Sequence, residues 1–84
     1  MLKVYGRNNS INVQKVMWTI GELGLEHERL DVGGAFGQNN EDWYLRLNPM
    51  GKVPVLDDNG YVLWESNTIV RYLAAQYDRD ELYP

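Results

Sequence analysis

The dipeptide Asn59-Gly60 lies between two apolar runs and constrains the fold more than any other feature of this sequence. The runs are residues 53–56 and 61–64, and Asp57 and Asp58 precede the dipeptide. Asn-Gly in this setting is the strongest short-range signal for a β-hairpin, because both residues tolerate positive φ. The sequence therefore predicts an antiparallel pair of strands against which the remaining elements pack.

Three other segments have helical periodicity. In the first, apolar residues recur at i, i+3, i+4 and i+7 before Gly24; they are Val13, Val16, Met17 and Ile20. The second is short, with Glu41-Asp42 in its first turn and Asn48-Pro49 at its end. The third has Ser66 as a candidate N-cap and an apolar stripe that runs from Ile69 toward the acidic residues 78–81.

Two further strands complete the predicted order of elements. Residues 2–5 alternate as a short strand before Gly6, and residues 27–32 form a second strand before Gly33-Gly34. The order is β-α-β-α-β-β-α. It predicts one α/β domain with a mixed sheet, in which a right-handed β-α-β crossover precedes the hairpin and helices cover the faces.

Composition excludes several classes of function. The sequence has no cysteine, so it has no disulfide, no CxxC redox pair and no thiolate zinc site, and its single histidine, His27, argues against any other metal site. The eight Lys and Arg residues are scattered in a chain of net charge −4, which argues against a nucleic-acid partner. No apolar run suits a signal peptide or a membrane span, so a cytoplasmic protein is expected.

Pro54 falls within a run that otherwise has strand character, where it removes a hydrogen-bond donor from the ladder. One interpretation is a trans proline on an edge strand. The other is a cis Val53-Pro54 bond, which would turn the N–H and C=O of Val53 toward an open edge where an extended peptide pairs as an added strand.

Two predicted helix N-termini carry side chains suited to an anionic ligand. Ser10 opens the first helix, and Glu65-Ser66 opens the third. Free N–H groups and the helix dipole at such an N-terminus favour a carboxylate, and the Glu65 side chain suits an ammonium group. The Glu65-Ser66 pair therefore matches the two charges of an α-amino acid head group. The alternative is that both serines are ordinary N-caps and Glu65 is an exposed acid.

The chain resembles the N-terminal domain of cytosolic glutathione transferases over almost its whole length. Three segments carry the resemblance: YGRNNS at 5–10, NPMGKVPVL at 48–56 and ESNTIVRYL at 65–73. The first is most similar to bacterial members related to the theta, delta and nu-like classes. The resemblance implies a thioredoxin-like βαβαββα fold, with a four-stranded mixed sheet and helices on both faces.

The same resemblance implies a role for residues around a borrowed thiol. Ser10 would donate a hydrogen bond to the sulfur of glutathione, with Asn12 as a possible second donor. Val53, which precedes a cis Pro54, would pair with the cysteinyl backbone. The serine is then a donor to the thiolate rather than a base or a nucleophile.

The remaining implied contacts hold the two ends of glutathione. Glu65 and Ser66 would bind the ammonium and carboxylate of the γ-glutamyl group. Lys52 and Asn39 occupy positions near the glycyl end, although Asn39 stands where related classes often carry histidine.

The implied function is attack of the glutathione thiolate on a small electrophile, with glutathione as co-substrate and no metal. The alternatives are a glutathione-dependent disulfide reductase or isomerase, or a binding or structural module without turnover. Residues 1–84 would be the glutathione-binding domain of a homodimeric enzyme that also has an all-helical C-terminal domain. Trp18 lies nearly opposite the apolar face of the first helix, so we expect it to point outward and to pack on that domain.

Overall fold

A computed structural model of the chain describes residues 2–77, which form four strands, three α-helices and one 3₁₀ turn. In chain order these are β1 Leu2–Tyr5, α1 Ile11–Leu23, β2 His27–Leu30, the 3₁₀ turn Gly34–Phe36, α2 Asp42–Leu47, β3 Val55–Asp58, β4 Tyr61–Trp64 and α3 Ser66–Gln76. The predicted order is confirmed. The acidic residues 78–81, expected at the end of the third helix, lie outside the described residues.

The sheet has strand order β2-β1-β3-β4. β1 pairs in parallel with β2, which requires the crossover through α1, and in antiparallel fashion with β3, which continues into the β4 hairpin. The expected four-stranded mixed sheet of a thioredoxin-like α/β fold is therefore present.

Apolar side chains fill both faces of the sheet. One cluster packs α1 and α3 against one face and contains Leu2, Val4, Val16, Ile20, Leu23, Leu56, Ile69 and Leu73. The other packs α2 against the opposite face through Val32, Tyr44 and Val55. Neighbours in a strand divide between the clusters, as Leu56 and Val55 do, because successive side chains point to opposite faces. Helices on both faces follow from this alternation.

The hairpin forms where the sequence predicts it, but β3 begins two residues later than expected. Asn59 and Gly60 have φ of 53° and 98°, so the loop has the positive φ values that suit a two-residue hairpin. β3 starts at Val55 rather than Val53, because Pro54 has no N–H to contribute to a ladder, and it continues through Asp57 and Asp58. Pro54 is thus at the entrance to the strand and not inside it.

β2 is also shorter than predicted, since it ends at Leu30 and not at Val32. Its partner β1 ends at Tyr5, and beyond Leu30 the pairing is reduced to one hydrogen bond from the N–H of Arg7 to the carbonyl of Val32 at 2.9 Å. Val32 is instead buried in the α2 cluster. His27 begins this edge strand and is exposed.

Asp58 joins the end of β3 to α3. The residue is 8% exposed, and its Oδ2 accepts hydrogen bonds from the hydroxyls of Tyr72 at 2.6 Å and Tyr77 at 2.8 Å. These hydrogen bonds to Asp58, with burial as a second cause, raise the pKa of both tyrosines above its ordinary value. The C-terminal part of α3 and its C-cap Tyr77 are therefore held to the hairpin by a carboxylate shared between two phenols.

Candidate binding groove

Two adjoining cavities lie where the N-termini of α1 and α3 meet the segment before β3. Their volumes are about 370 Å³ and 290 Å³, and Asn12, Lys52 and Val53 line both. Glu65 and Ser66 line the first cavity, and Ser10 and Asn39 line the second. We call the two cavities together the groove. The eight residues singled out from the sequence all line it, with Pro54 in the wall of the first cavity.

Ser10 is the N-cap of α1 and is 9% exposed. Its Oγ accepts a long hydrogen bond of 3.5 Å from the N–H of Val13. A hydroxyl has two acceptor lone pairs and one donor hydrogen, so this contact leaves the hydrogen free to donate into the groove. The cap and the ligand-donor interpretations are therefore compatible in one side chain.

Asn12 and Ser66 connect the first turns of α1 and α3. The Ser66 hydroxyl donates to Oδ1 of Asn12 at 3.4 Å, across 54 residues of sequence. The side-chain amide N–H groups of Asn12 then remain available to a ligand. Ser66 itself lines the first cavity and is 6% exposed.

The N-cap of α3 is Glu65 rather than Ser66. Ile69 donates its N–H to the carbonyl of Glu65 at 3.0 Å, which makes Ser66 the first helical residue. The Glu65 carboxylate accepts a hydrogen bond from the N–H of Asn67 at 3.0 Å. Glu65 has a φ of 84°, a backbone conformation that residues other than glycine rarely adopt. The sequence expectation of a Ser66 cap is wrong because the chain turns one residue earlier than the hydroxyl indicates.

Val53 presents its backbone to the groove. The Val53-Pro54 peptide bond is cis, as expected. Within residues 2–77 neither the N–H nor the C=O of Val53 has a hydrogen-bond partner. An extended peptide lying in the groove has both groups available for strand-like pairing.

The carbonyl of Lys52 is held by two side chains that the sequence analysis did not single out. It accepts from the Tyr44 hydroxyl at 2.6 Å and from the Asn48 amide at 3.0 Å. Burial of Tyr44, with Tyr5 as a second cause, raises the pKa of its hydroxyl. These bonds orient the peptide plane that leads into Val53. The Asn48-Pro49 helix stop was the available signal, but a stop motif does not show where the amide points.

The side chains of Lys52 and Asn39 differ in their availability to a ligand. The Lys52 side chain is exposed at the junction of the two cavities. The Asn39 amide donates to the carbonyl of Gly51 at 2.9 Å and so supports the loop that carries Lys52. Lys52 is therefore available to an anionic ligand, whereas one amide hydrogen of Asn39 is committed to the loop.

Neither a metal-binding cluster nor a membrane-spanning helix is found among residues 2–77. Those residues contain no cluster of three or more His, Cys, Asp or Glu side chains that could hold a metal ion. Across the same residues, no helix is long and apolar enough to cross a membrane.

The comparisons with known proteins agree with one another. Residues 1–75 match the family model described as the glutathione S-transferase N-terminal domain. Glutathione S-transferase GstB of Escherichia coli strain K12 is 49% identical over 85 residues, a match that covers 99% of this chain and 41% of that protein. Glutathione S-transferase hmp2 of Hypomyces subiculosus is 44% identical, over 93% of this chain and 36% of its own length. The chain thus spans about two fifths of the curated relatives it matches.

Solved structures give the same result. A theta class glutathione S-transferase from Xanthomonas axonopodis pv. citri, solved with glutathione bound, superposes with a TM-score of 0.89 at 54% identity, over 90% of this chain and 37% of that one. An epsilon-class enzyme from the housefly, Musca domestica, superposes with a TM-score of 0.94 at 33% identity, over all of this chain and 39% of the other.

Proposed function

The chain belongs to the glutathione S-transferase family, as an N-terminal domain, and we propose that its groove binds glutathione and promotes formation of the thiolate for transfer to an electrophile. The theta class relative was solved with glutathione bound, which supports the same ligand here. The transferase reaction belongs to the whole protein, in which the relatives' greater length suggests a further domain.

The observation that carries the proposal is the unpaired backbone of Val53, set between two helix N-termini. A tripeptide that pairs through its central residue with Val53 is held in one direction along the groove. Its ends then reach Glu65 and Ser66 on one side and Lys52 on the other. This arrangement matches the charge pattern of glutathione, which has an amino acid head group at one end and a single carboxylate at the other.

The α3 N-terminus suits the γ-glutamyl head group. The N–H of Ser66 has no partner among residues 2–77, and the helix dipole favours a carboxylate there. The carboxylate of Glu65 is exposed and accepts one hydrogen bond, from the N–H of Asn67, so it retains oxygen lone pairs for an ammonium group. Lys52 then pairs with the glycyl carboxylate.

Ser10 acts on the sulfur. The thiol of glutathione has an unperturbed pKa of about 8.5, so most of it is protonated at neutral pH. A hydroxyl that donates to the sulfur, beside the N-terminus of α1, favours the charged form and lowers this pKa. Asn12 supplies a second donor from its free amide. The proton passes to solvent, and the thiolate forms a bond to the electrophilic carbon as the leaving group departs with its electron pair.

Glu65→Gln, made in the full-length protein, tests the proposed contact between Glu65 and the ammonium group of glutathione. The amide oxygen keeps an acceptor for the N–H of Asn67, so the cap is retained, while the charge opposite the ammonium is lost. We expect the dissociation constant for glutathione, measured by titration calorimetry, to rise about tenfold or more, with little change in melting temperature.

Glu22→Gln is the matched control, since Glu22 is an exposed acid on α1 that does not line the groove. Its dissociation constant should equal that of the unmodified protein. No binding of glutathione by the unmodified protein at millimolar concentration would refute the proposed function, and an unchanged constant for Glu65→Gln would refute the head-group assignment.

A further inference from the structure

The groove contains more positive charge than glutathione needs. Arg7, Lys15 and Lys52 line its two cavities, whereas Glu65 is the one acidic residue among the described residues that line them. The chain as a whole has a net charge of −4, so this concentration of cations runs against its overall charge. Local positive potential in a cleft raises the concentration of anionic ligands there.

Arg7 has no role in the binding of glutathione proposed above. The ammonium is assigned to Glu65, one carboxylate to the α3 N-terminus and the other to Lys52. Within residues 2–77 the Arg7 guanidinium forms no hydrogen bond or ion pair. By contrast, Arg29 is paired with Asp31 at 2.6 Å.

The Arg7 side chain lies against two adjacent glycines, Gly33 and Gly34. A Cβ at Gly34 would lie 2.8 Å from Cδ of Arg7 and 3.0 Å from its Nε, and a Cβ at Gly33 would lie 3.3 Å from Nη1. The same Gly33 position is 3.4 Å from a methyl group of Val53. The absence of side chains at Gly33 and Gly34 therefore lets the guanidinium reach the part of the groove beside Val53.

The backbone of Arg7 is anchored at both ends. Its N–H donates to the carbonyl of Val32 at 2.9 Å, and its carbonyl accepts from the N–H of Ser10 at 3.3 Å. The second bond joins Arg7 to the residue that we assign to the sulfur of glutathione. Arg7 and Ser10 thus line the same cavity, which places a cation and the proposed donor to the sulfur in one part of the groove.

We propose that Arg7 binds a carboxylate of the second substrate, so that the electrophile of this protein is a small organic acid. The inference rests on the proposed function and names the substrate class of the same groove. The guanidinium presents N–H groups in a planar fork that matches a carboxylate in two parallel hydrogen bonds. The thiolate forms the C–S bond, and the leaving group departs from the same carbon with the electrons of the bond that breaks.

The test compares an acid with its neutral amide as electrophiles for glutathione: 4-chloro-3-nitrobenzoate and 4-chloro-3-nitrobenzamide, each of which loses chloride. The reaction with each electrophile is followed by absorbance for the full-length protein and for its Arg7→Gln, Arg7→Lys and Arg46→Gln variants. The quantity compared is the ratio of kcat/KM for the acid to kcat/KM for the amide. Dividing the variant's ratio by that of the unmodified protein removes the difference in intrinsic reactivity.

We expect Arg7→Gln to lower this ratio about tenfold or more, since a charge-assisted hydrogen-bonded pair is lost. Arg7→Lys should lower it less, because a charge remains without the planar fork. Arg46 is an exposed arginine on α2 that lines neither cavity, so Arg46→Gln should leave the ratio unchanged.

Two results would overturn the proposal while the proposed function stands. An unchanged ratio with both rates lowered would mean that Arg7 acts on the thiolate. A raised dissociation constant for glutathione with an unchanged ratio would mean that Arg7 binds the glycyl carboxylate. If the protein binds no glutathione, both proposals fail together.

Binding of an unreactive acid keeps the proposal testable if neither electrophile reacts. Titration of the glutathione complex with 3-nitrobenzoate and 3-nitrobenzamide should show tighter binding of the acid. Arg7→Gln should remove most of that preference. Equal binding of the two compounds to the unmodified protein would overturn the proposal.

Discussion

The Ser10 hydroxyl combines a structural and a chemical role in a single group. Its oxygen accepts from the N–H of Val13 at 3.5 Å, which is a weak cap, and its hydrogen remains to be donated. The two roles affect different measurements. Loss of a cap lowers stability, whereas loss of a donor to sulfur changes the pH at which glutathione ionises.

Ser10→Ala should therefore have two separable effects. Unfolding free energy should fall by about 1 kcal/mol, as for other N-cap losses. The pKa of the bound thiol should rise, and each unit of this rise lowers the fraction of thiolate at neutral pH about tenfold. The rate measured against pH should be low at pH 7 and recover in part at higher pH.

Ser10→Thr is the control for this prediction because it retains a hydroxyl at the same position, and it should keep most of the rate at pH 7. A profile of Ser10→Ala that is unshifted at full activity would contradict the donor role. In that case Ser10 is only a cap, and Asn12 becomes the leading candidate for the donor to the sulfur.

At the scale of elements, α3 is attached to the hairpin by a polar contact as well as by its apolar face. Tyr72 and Tyr77 both donate to Asp58, and Asn59 donates to the other oxygen of the same carboxylate at 3.1 Å. The hydrogen bonds require both phenols to be protonated. Folding therefore holds protons on these tyrosines more tightly than the unfolded chain does.

This coupling predicts a loss of stability at alkaline pH. The folded-state pKa of Tyr72 and Tyr77 lies above the unfolded value of about 10, so their contribution is complete below that pH and declines as the pH rises above it. Urea unfolding measured between pH 8 and 11 should show this decline. Tyr72→Phe should lower stability at pH 8 by about 1 kcal/mol and make the decline shallower.

Tyr61→Phe is the control, since the described structure gives the Tyr61 hydroxyl no hydrogen bond to Asp58. Its alkaline decline should change less than that of Tyr72→Phe, since Tyr61 is only the smallest of the causes that raise the pKa of Tyr72. If Tyr72→Phe declines as steeply as the unmodified chain above pH 10, the phenols are not the cause.

At the scale of the whole molecule, α1 and α3 leave an apolar face that the described residues do not cover. Trp18 is 61% exposed and Ile11 is 73% exposed, and both line a cavity of about 460 Å³ with Val70. The expected outward direction of Trp18 is confirmed. The match with GstB of Escherichia coli covers 41% of that protein's length. We therefore propose that a further domain of the complete protein covers this face.

Trp18→Ser, made in the full-length protein, tests whether a further domain covers this face. Burial of a large aromatic side chain stabilises a fold by about 1.5–3 kcal/mol, so the melting temperature should fall by several degrees if Trp18 is covered. Phe36→Ser is the comparison, since Phe36 is 51% exposed and lies away from this face. Equal, small effects of both substitutions would show that Trp18 remains exposed.

The sequence by itself determined the elements that depend on neighbouring residues. Gly24 ends α1 in the left-handed conformation, with φ of 66°, because glycine has no Cβ to clash there. Asn59-Gly60 forms the hairpin for a related reason, and apolar spacing identified the buried faces of α1 and α3. For the groove, local pattern identified Ser10, the Glu65-Ser66 pair and the Val53-Pro54 bond as candidates with ordinary alternatives, and resemblance to a family added Asn12, Lys52 and Asn39.

Only the tertiary structure decided which groups meet and which remain free. Asn12 and Ser66 contact each other because the sheet brings two helix N-termini together, and local periodicity has no information about such pairs. The same holds for Arg7 on Gly33 and Gly34, since the approach depends on β1 and β2 ending side by side. Sequence pattern reports the cost of local conformations, whereas contacts between distant residues are set by strand pairing and packing.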